Sequence, residues 1–330
     1  MCGIVGHVGP AAVLSERSLE VLLDGLSRLE YRGYDSAGVA LLTDEGVSVR
    51  KEAGKLENLR AQIAAHPVAP ATAGIGHTRW ATHGSPTTVN AHPHVAGHIA
   101  LVHNGIIENF RPLREEVESL GRTLVSETDS EVVAHLLDIA YSALREANPA
   151  GDPALQLREA MAQVTPRLEG AYALLAIAAD APGTIVAARR SAPLVLGVGE
   201  GENFVGSDVA AFVAFTKQAV EVGDNQIVLI TAAGIEITDA AGQVVTEPHS
   251  WEVTWDASAA VKGGYDTFMN KEIHDQPTAV ADTLRGRMDA AGELQLDEMR
   301  IDPSVLRSVD KIIVIACGTA AYAGHVAKYA

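Results

Sequence analysis

Apolar and polar positions along the chain predict an α+β protein in which strands and helices come in clusters. A short apolar run rich in β-branched residues over 3–8 predicts a buried strand directly behind the N-terminus. Leucines recur every three or four residues within 13–29, which predicts an amphipathic helix. Further strands are predicted over 38–42, 47–51, 74–77 and 98–103, where Gly, Asp and Pro separate the apolar runs.

The middle of the chain continues this alternation of clusters. The sequence TDSE at 128–131 is a capping-box pattern and predicts a helix start, with an apolar stripe over 132–144 behind it. Strands are predicted over 171–178, 184–189, 194–198 and 227–231, and an Ala-Gly pair at 233–234 predicts a hairpin into a strand over 235–238. Clustered strands and helices indicate antiparallel sheets covered by helices, not a repeating βαβ chain.

The character of the sequence changes after about residue 250. Two tryptophans and a Gly-Gly pair predict a linker over 250–262 between a domain at 1–249 and a second region at 263–330. The run KIIVIA at 311–316 predicts a fully buried parallel strand, followed by a turn at 317–319 and a helix over 321–329. Because helix N-termini attract anions, this turn is a candidate phosphate site. Such a fold needs several more βα units, so we expect the chain to be part of a longer enzyme.

Composition and charge narrow the class of protein. The 330 residues, of which 47% are hydrophobic and 20% charged, are enough for two domains with their own cores. A formal net charge of −17 opposes binding to nucleic acid or to an anionic membrane. No apolar run reaches the roughly 20 residues that span a bilayer and no secretory signal is visible, which predicts a cytoplasmic protein. Two distant cysteines exclude a disulfide framework and a tetrathiolate zinc site.

Cys2 lies directly behind the initiator methionine and is a candidate nucleophile. If Met1 is removed, this one residue carries both a thiol and a free α-amine. An α-amine has a pKa of about 8 and can accept a proton at neutral pH while the thiolate attacks a carbonyl carbon. The alternative is that Cys2 is a small buried hydrophobe.

Three later segments offer groups that could complete a cysteine site. Arg79 has a planar guanidinium suited to a carboxylate, although an ordinary ion pair is equally compatible, and Trp80 is interpreted as a core residue with a lid as the alternative. The dipeptide Asn104-Gly105 favours a hairpin turn, but its amide and N–H could also stabilise an oxyanion. Asp129, in a first helical turn, could pair with an ammonium group or serve only the helix dipole.

Six histidines fall between positions 77 and 103, which raises the question of a metal site. Carboxylates at ligand spacing are missing and there is no His-Glu-x-x-His helix, so we expect no metal and interpret these residues as polar groups on strands and loops.

Five sequence motifs, taken together and in order, resemble the glutaminase domain of the glutamine–fructose-6-phosphate aminotransferase family. They are CGIVG at 2–6, YRGYDSAG at 31–38, HTRWATHG at 77–84, HNGIIEN at 103–109 and SETD at 126–129. The resemblance covers 2–249 and continues through MNKEI at 269–273 and ACGT at 316–319. It implies a four-layer αββα N-terminal-nucleophile hydrolase sandwich, followed by the beginning of an α/β sugar isomerase domain.

The resemblance also implies a role for each candidate residue. Cys2 attacks the carboxamide of glutamine, Asn104 and Gly105 form the oxyanion hole, and Arg32 helps to position the surroundings of the nucleophile. The residues implied at the glutamine site are Arg79 on the α-carboxylate, Asp129 on the α-ammonium group, Trp80 as the gate of an ammonia route, and Thr82, His83 and His92 in or near the glutamine loop.

In the sugar half, the resemblance implies that Cys317, Gly318 and Thr319 form the first edge of a sugar-phosphate site. Ala320 stands where many relatives carry Ser, which puts one sugar contact in doubt. The complete family enzyme passes ammonia to fructose 6-phosphate and yields glucosamine 6-phosphate without a metal or organic cofactor, as a homodimer formed through the isomerase domain. We expect this chain alone to hydrolyse glutamine only.

Two other functions remain open at this stage. One is another cysteine-type glutamine amidotransferase, such as amidophosphoribosyltransferase, glutamate synthase or asparagine synthetase. The other is a non-catalytic module that binds a sugar phosphate and has kept the sandwich as a scaffold. The turn at 317–319 and the segment at 31–38 favour the sugar-linked enzyme over the first, and the intact set of candidate residues argues against the second.

Overall fold

The computed structural model describes residues 2–33, 35–81, 84–254, 265, 268–284, 302–316 and 318–329. The chain divides into two compact units, Met1–Gly264 and Tyr265–Ala330. The start of the linker predicted at 250–262 is wrong, because Ser250–Glu252 form a strand that pairs with Gln218–Glu221 in the first unit. Residues 255–262 lie outside the described residues.

The first unit contains two antiparallel sheets. The strands of the eight-stranded sheet are β1 (Gly3–Val8), β2 (Ser36–Thr43), β3 (Gly46–Ala53), β4 (Ala73–Arg79), β9 (Val195–Val198), β10 (Asn203–Gly206), β11 (Gln218–Glu221) and β14 (Ser250–Glu252). Their spatial order is β14-β11-β9-β10-β1-β4-β2-β3. The strands of the six-stranded sheet are β5 (His94–Ala96), β6 (Ile99–Ile107), β7 (Gly170–Ala178), β8 (Thr184–Arg190), β12 (Gln226–Thr231) and β13 (Gly234–Thr238). Their order is β13-β12-β8-β7-β6-β5.

Helices cover the outer faces of both sheets. Helices α1 (Arg17–Leu29) and α2 (Leu56–Ala65) pack on the eight-stranded sheet, and α3 (Phe110–Ser119), α4 (Asp129–Ala147) and α5 (Pro153–Val164) pack on the six-stranded sheet. Buried apolar side chains form three clusters, one under each helical layer and one between the sheets. The first unit is therefore a four-layer αββα sandwich.

Strand alternation decides which residues enter the layer between the sheets. In β1, β4 and β6 alternate side chains pack into that layer, namely Ile4, Val8, Ala73, Ile75, Ala100 and Val102. The same alternation, continued toward one end of the sandwich, places Cys2, His77 and Asn104 on the same face. The side chains of the candidate site therefore continue the rows of apolar side chains that fill the layer between the two sheets.

Several elements match their predictions from the sequence. The first strand has the predicted bounds, and the helix at 128–131 begins as predicted, with Thr128 Oγ1 accepting from the Glu131 N–H. The Glu131 carboxylate accepts hydrogen bonds from the N–H groups of Val125 and Ser126, at 2.9 and 2.6 Å. In a standard capping box it would accept from the N–H of Thr128 instead. The predicted helix over 13–29 begins later, at Arg17.

The second unit departs from its prediction. Its described elements are α6 (Phe268–Leu284), α7 (Pro303–Arg307) and α8 (Gly318–Ala327). The strand predicted over 311–316 is wrong: the segment has no strand pairing and Ile315 is 93% exposed. A parallel strand needs hydrogen-bonding neighbours on both sides, and the described residues of this unit contain no other strand.

No helix among the described residues is both long and apolar enough to cross a membrane.

Candidate active site

The register between β1 and β4 positions Cys2. Gly3 pairs with Thr78, so the residue before Gly3 lies beside the end of β4. There the Trp80 N–H donates to Cys2 Sγ at 3.2 Å, and the thiol lies 3.6 Å from the Trp80 carbonyl oxygen. Burial raises the pKa of the Cys2 thiol, an effect that the Trp80 N–H and the charge of Arg79 oppose. The thiol is therefore protonated at neutral pH and needs a base to become a nucleophile.

Asn104 and Gly105 approach Cys2 from the other sheet. Asn104 Nδ2 donates to the Cys2 carbonyl oxygen at 3.0 Å. Gly105 has a φ of +128°, and a Cβ at this position would collide with the Ala171 carbonyl oxygen on β7. The prediction of a hairpin turn at this dipeptide is wrong, because β6 stays paired with β7 through both residues. Only glycine fits at position 105, and its N–H lies next to the Asn104 amide.

Arg79 ends β4 and contributes a buried positive charge. Its side chain is 3% exposed, and its guanidinium donates to the carbonyl oxygens of Gly84 and Ser85, at 3.0 and 3.2 Å. Arginine stays charged in proteins, so this wall of the site is permanently positive. The same contacts tie the loop that follows β4 to the site.

Asp129 contributes the opposite charge from the first turn of α4. Its Oδ2 accepts from the Ile107 N–H at 2.8 Å, which fixes the carboxylate beside the end of β6. The Nδ1 atom of His103 lies 4.0 Å from the same oxygen and 2.8 Å from Ser130 Oγ. The helix N-terminus also stabilises a negative charge at this position.

These groups line one cavity of about 300 Å³. Its walls include seven residues singled out from the sequence, namely Cys2, Arg79, Trp80, His92, Asn104, Gly105 and Asp129. Trp80 is 49% exposed, so its interpretation as a core residue is wrong and the indole is one of the more exposed parts of the wall. A cavity with a thiol, an amide donor, a cation and an anion suits a zwitterionic amino acid whose side chain carries a carbonyl group.

Other predicted residues are not placed by the structure. Thr82, His83 and Cys317 lie outside the described residues, and Arg32 ends a short 3₁₀ turn with its side chain outside them. Gly318 begins α8 with a φ of +61° and Thr319 follows it, both in the second unit.

Sequence reasoning missed one wall of the cavity. Ser191, Ala192 and Pro193, directly after β8, also line the cavity. Ser191 has a φ of +54°, and its N–H donates to Asp224 Oδ1 at 2.9 Å. The sequence Ser-Ala-Pro at 191–193 ends the predicted strand over 184–189 and could have indicated this wall, since loops at strand ends often carry binding groups.

A cluster of histidines lies beside and behind the cavity. The His92 ring is 4.1 Å from that of His77 and 4.6 Å from that of His94. Burial lowers the pKa of His77 to about 3 and holds the pKa values of His92 and His94 well below their ordinary value, so all three are neutral near pH 7. Within the part of the chain that the structure describes, no group of His, Cys, Asp and Glu is arranged to hold a metal ion.

Comparison with known proteins identifies the family. Residues 77–214 match the model of a glutamine amidotransferase domain. Over its whole length the chain is 57% identical to a protein of Streptomyces coelicolor and 58% identical to one of Corynebacterium diphtheriae, both named glutamine–fructose-6-phosphate aminotransferase (isomerizing). The chain belongs to the glutamine–fructose-6-phosphate aminotransferase family. It spans about half the length of these relatives, 51% and 52%.

Solved structures support the fold of this aminotransferase-family chain. The glutamine phosphoribosylpyrophosphate amidotransferase of Bacillus subtilis aligns with a TM-score of 0.57 at 21% identity, over 78% of this chain and 55% of its own. An allosteric regulatory enzyme of purine biosynthesis aligns with a TM-score of 0.58 at 22% identity, with the same coverage. The predicted four-layer αββα sandwich is therefore confirmed.

Proposed function

We propose that Cys2, as the first residue after removal of Met1, attacks the carboxamide carbon of glutamine and releases ammonia. The observation that carries this proposal is that Cys2, Asn104, Arg79 and Asp129 line one cavity, in which the Asn104 amide donates to the Cys2 carbonyl oxygen. Each of these groups matches one part of a bound glutamine.

The charged walls orient the substrate. Arg79 pairs with the α-carboxylate through its planar guanidinium, and Asp129 pairs with the α-ammonium group. The side-chain carboxamide then extends toward Cys2. Trp80 lies beside the thiol, where it gates the route by which ammonia leaves. Arg32, Thr82, His83 and His92 remain proposed contributors to the surroundings of the nucleophile and to the glutamine loop.

The reaction proceeds in two halves. The α-amine of Cys2 takes the thiol proton, the sulfur bonds to the carboxamide carbon, and the negative charge that develops on oxygen is held by an Asn104 N–H and the Gly105 N–H. The protonated α-amine then gives its proton to the carboxamide nitrogen, and the C–N bond breaks to release ammonia and leave the γ-glutamyl thioester. A water molecule, deprotonated by the same amine, attacks the γ-glutamyl thioester, releases glutamate and restores the thiol.

The names of the relatives mention both glutamine and fructose 6-phosphate. We therefore propose that the whole protein, of which this chain is a part, acts on both substrates. Ammonia aminates fructose 6-phosphate to give glucosamine 6-phosphate, without a metal or organic cofactor, in a cytoplasmic homodimer formed through the isomerase domain. The glutaminase domain runs from residue 1 through β14, the linker follows it up to residue 262, and 263–330 are the start of the isomerase part. Cys317, Gly318 and Thr319 form the first edge of the sugar-phosphate site.

A cysteine substitution tests the glutaminase proposal. We expect Cys2→Ala to lower the rate of glutamate formation from glutamine by at least about 10³-fold, because the nucleophile is lost. The matched control is Cys317→Ala, which removes the other cysteine of the chain and should leave that rate unchanged. Glutaminase activity that survives Cys2→Ala would refute the proposal.

Mass spectrometry of the intact protein tests the base. We expect the mass of a chain that begins at Cys2, since a retained Met1 would leave no free amine on the nucleophile. Supplying fructose 6-phosphate to this chain should give no glucosamine 6-phosphate, and its formation would show that the sugar site lies within these 330 residues.

A further inference from the structure

His77 contacts the proposed oxyanion donor from inside the sandwich. It lies on β4, is fully buried, and faces β6 across the layer between the sheets. Its Nε2 atom is 3.0 Å from Asn104 Oδ1 and 3.0 Å from the His103 carbonyl oxygen. His77 does not line the cavity, so its effect on the reaction must pass through another residue.

The neighbours of Asn104 fix the orientation of its amide. One end of the amide faces the Cys2 carbonyl oxygen, which can only accept a hydrogen bond, so that end must be Nδ2. The other end, Oδ1, then faces His77 Nε2. Because the His103 carbonyl at the same nitrogen is also an acceptor, Nε2 must carry the proton. A reversed amide would set two acceptors against each other at Cys2.

We infer that His77 is a positioning residue, whose Nε2–H holds Asn104 Oδ1 so that the Nδ2 group of Asn104 faces Cys2 and the reacting carbonyl. An amide nitrogen has two hydrogens: one binds the Cys2 carbonyl oxygen and the second serves the oxyanion. This inference rests on the proposed role of Asn104 in glutamine hydrolysis.

The environment keeps His77 in the form that this role requires. Burial lowers the pKa of His77 to about 3, so the ring is neutral near pH 7. The neutral Nε2–H form leaves Nδ1 as an acceptor, and this atom is buried without a hydrogen-bond partner in the described structure. The ring of His92 packs against that of His77, with the ring centroids 4.1 Å apart and the planes tilted by 35°, and limits its rotation.

Two variants of similar volume separate the hydrogen bond from packing. In His77→Gln the side-chain amide places an N–H donor close to the original Nε2, whereas His77→Met fills the space without a donor. We expect His77→Met to lower kcat for glutamate formation by about 10- to 100-fold, because the oxyanion donor loses its alignment, with KM changed less than about twofold. His77→Gln should retain kcat within about threefold of the unmodified chain.

A double-mutant cycle tests whether His77 acts through Asn104. Asn104→Ala alone should lower kcat by about 10²-fold or more. In that background, adding His77→Met should change kcat by less than about twofold, since the two residues form one unit. An equal loss with and without Asn104, or full activity of His77→Met, would overturn the inference. Full activity of Asn104→Ala would instead refute the proposed oxyanion hole itself.

A measurement on the unmodified chain covers the case in which His77→Met does not fold. Proton–nitrogen correlation spectra of histidine side chains distinguish the two neutral tautomers and the imidazolium ion. The resonance that His77→Gln removes should belong to the neutral Nε2–H tautomer at neutral pH. An Nδ1–H tautomer or an imidazolium at that position would contradict the inference independently of any activity.

Discussion

Gly105→Ala should lower both the stability of the fold and kcat for glutamine hydrolysis. The φ of +128° is strained for any residue with a Cβ, which destabilises the native state by about 1–3 kcal/mol. The added methyl group would also lie 2.8 Å from the Ala171 carbonyl carbon and 2.9 Å from Tyr172 Cα. These are backbone atoms of β7 that cannot rotate away, and the Ala171 carbonyl oxygen lies closer still, so β6 must move by about an ångström or more to reach ordinary contact distances.

That movement displaces the Gly105 N–H from the position in which we propose that it stabilises the oxyanion. Displacement or loss of one such donor lowers kcat by about 10²–10³-fold in other enzymes, and we expect an effect of that size here. The assays are urea unfolding for the free energy and steady-state glutamate formation for kcat and KM.

Gly121→Ala is the matched control for the backbone strain alone. Gly121 has a φ of +78°, lies in the exposed turn after α3, and has nothing within 4 Å of a built Cβ. We expect this variant to be destabilised by about 1 kcal/mol and to keep full kcat. If Gly105→Ala unfolds no more easily than Gly121→Ala and hydrolyses glutamine at the unmodified rate, the assignment of this glycine is refuted.

Three further predictions concern the charged walls and the buried histidines. Arg79→Lys should raise KM for glutamine by about tenfold or more, since one ammonium group cannot reproduce the planar pairing with a carboxylate; an unchanged KM would contradict this role. Asp129→Asn keeps an acceptor for the Ile107 N–H, so it should raise KM with little loss of stability, and a large loss of stability would indicate a structural role instead. The third prediction is that acidification destabilises the fold: the unfolded chain binds a proton at His77 below about pH 6.5, whereas the folded chain does so only near pH 3. The contribution of His77 to the free energy of unfolding should therefore fall by about 1.4 kcal/mol for each pH unit as the pH drops from about 6.5 to about 3. In urea titrations at several pH values, His77→Gln should reduce the slope and the exposed His66→Gln should not; an unchanged slope in His77→Gln would contradict the burial argument.

The sequence predicted the elements whose signal is local. The β-branched run at 3–8 forms a strand with the predicted bounds, and the cap at Thr128 forms because its hydroxyl group is within reach of the Glu131 N–H. Residues that line the cavity could also be named, since the thiol of Cys2, the guanidinium of Arg79 and the carboxylate of Asp129 are chemical groups that the sequence shows directly. Helix α5 was missed although Asp152 caps it and Pro153 begins it, a pattern that was visible in the sequence.

The rest depended on contacts between distant segments. Whether Asn104-Gly105 turns or stays in a strand is decided by pairing with β7, more than sixty residues further along the chain. The exposure of Trp80 depends on where β4 ends relative to Cys2, and the wall at 191–193 depends on Asp224. The apolar run at 311–316 has the composition of a buried strand, but composition cannot supply the neighbouring strands that would pair with it.

Strand register gives the active site a particular vulnerability to changes in length. Cys2, His77 and Asn104 share one face with the apolar residues behind them, and a period of two residues sets that face. Deleting a single residue between Ala73 and His77 would turn His77 and Arg79 toward the α1 side and bring Thr78 inward. Insertions and deletions are therefore tolerable in this fold at the hairpin between β2 and β3, whereas β4 and β6 can change only by substitution.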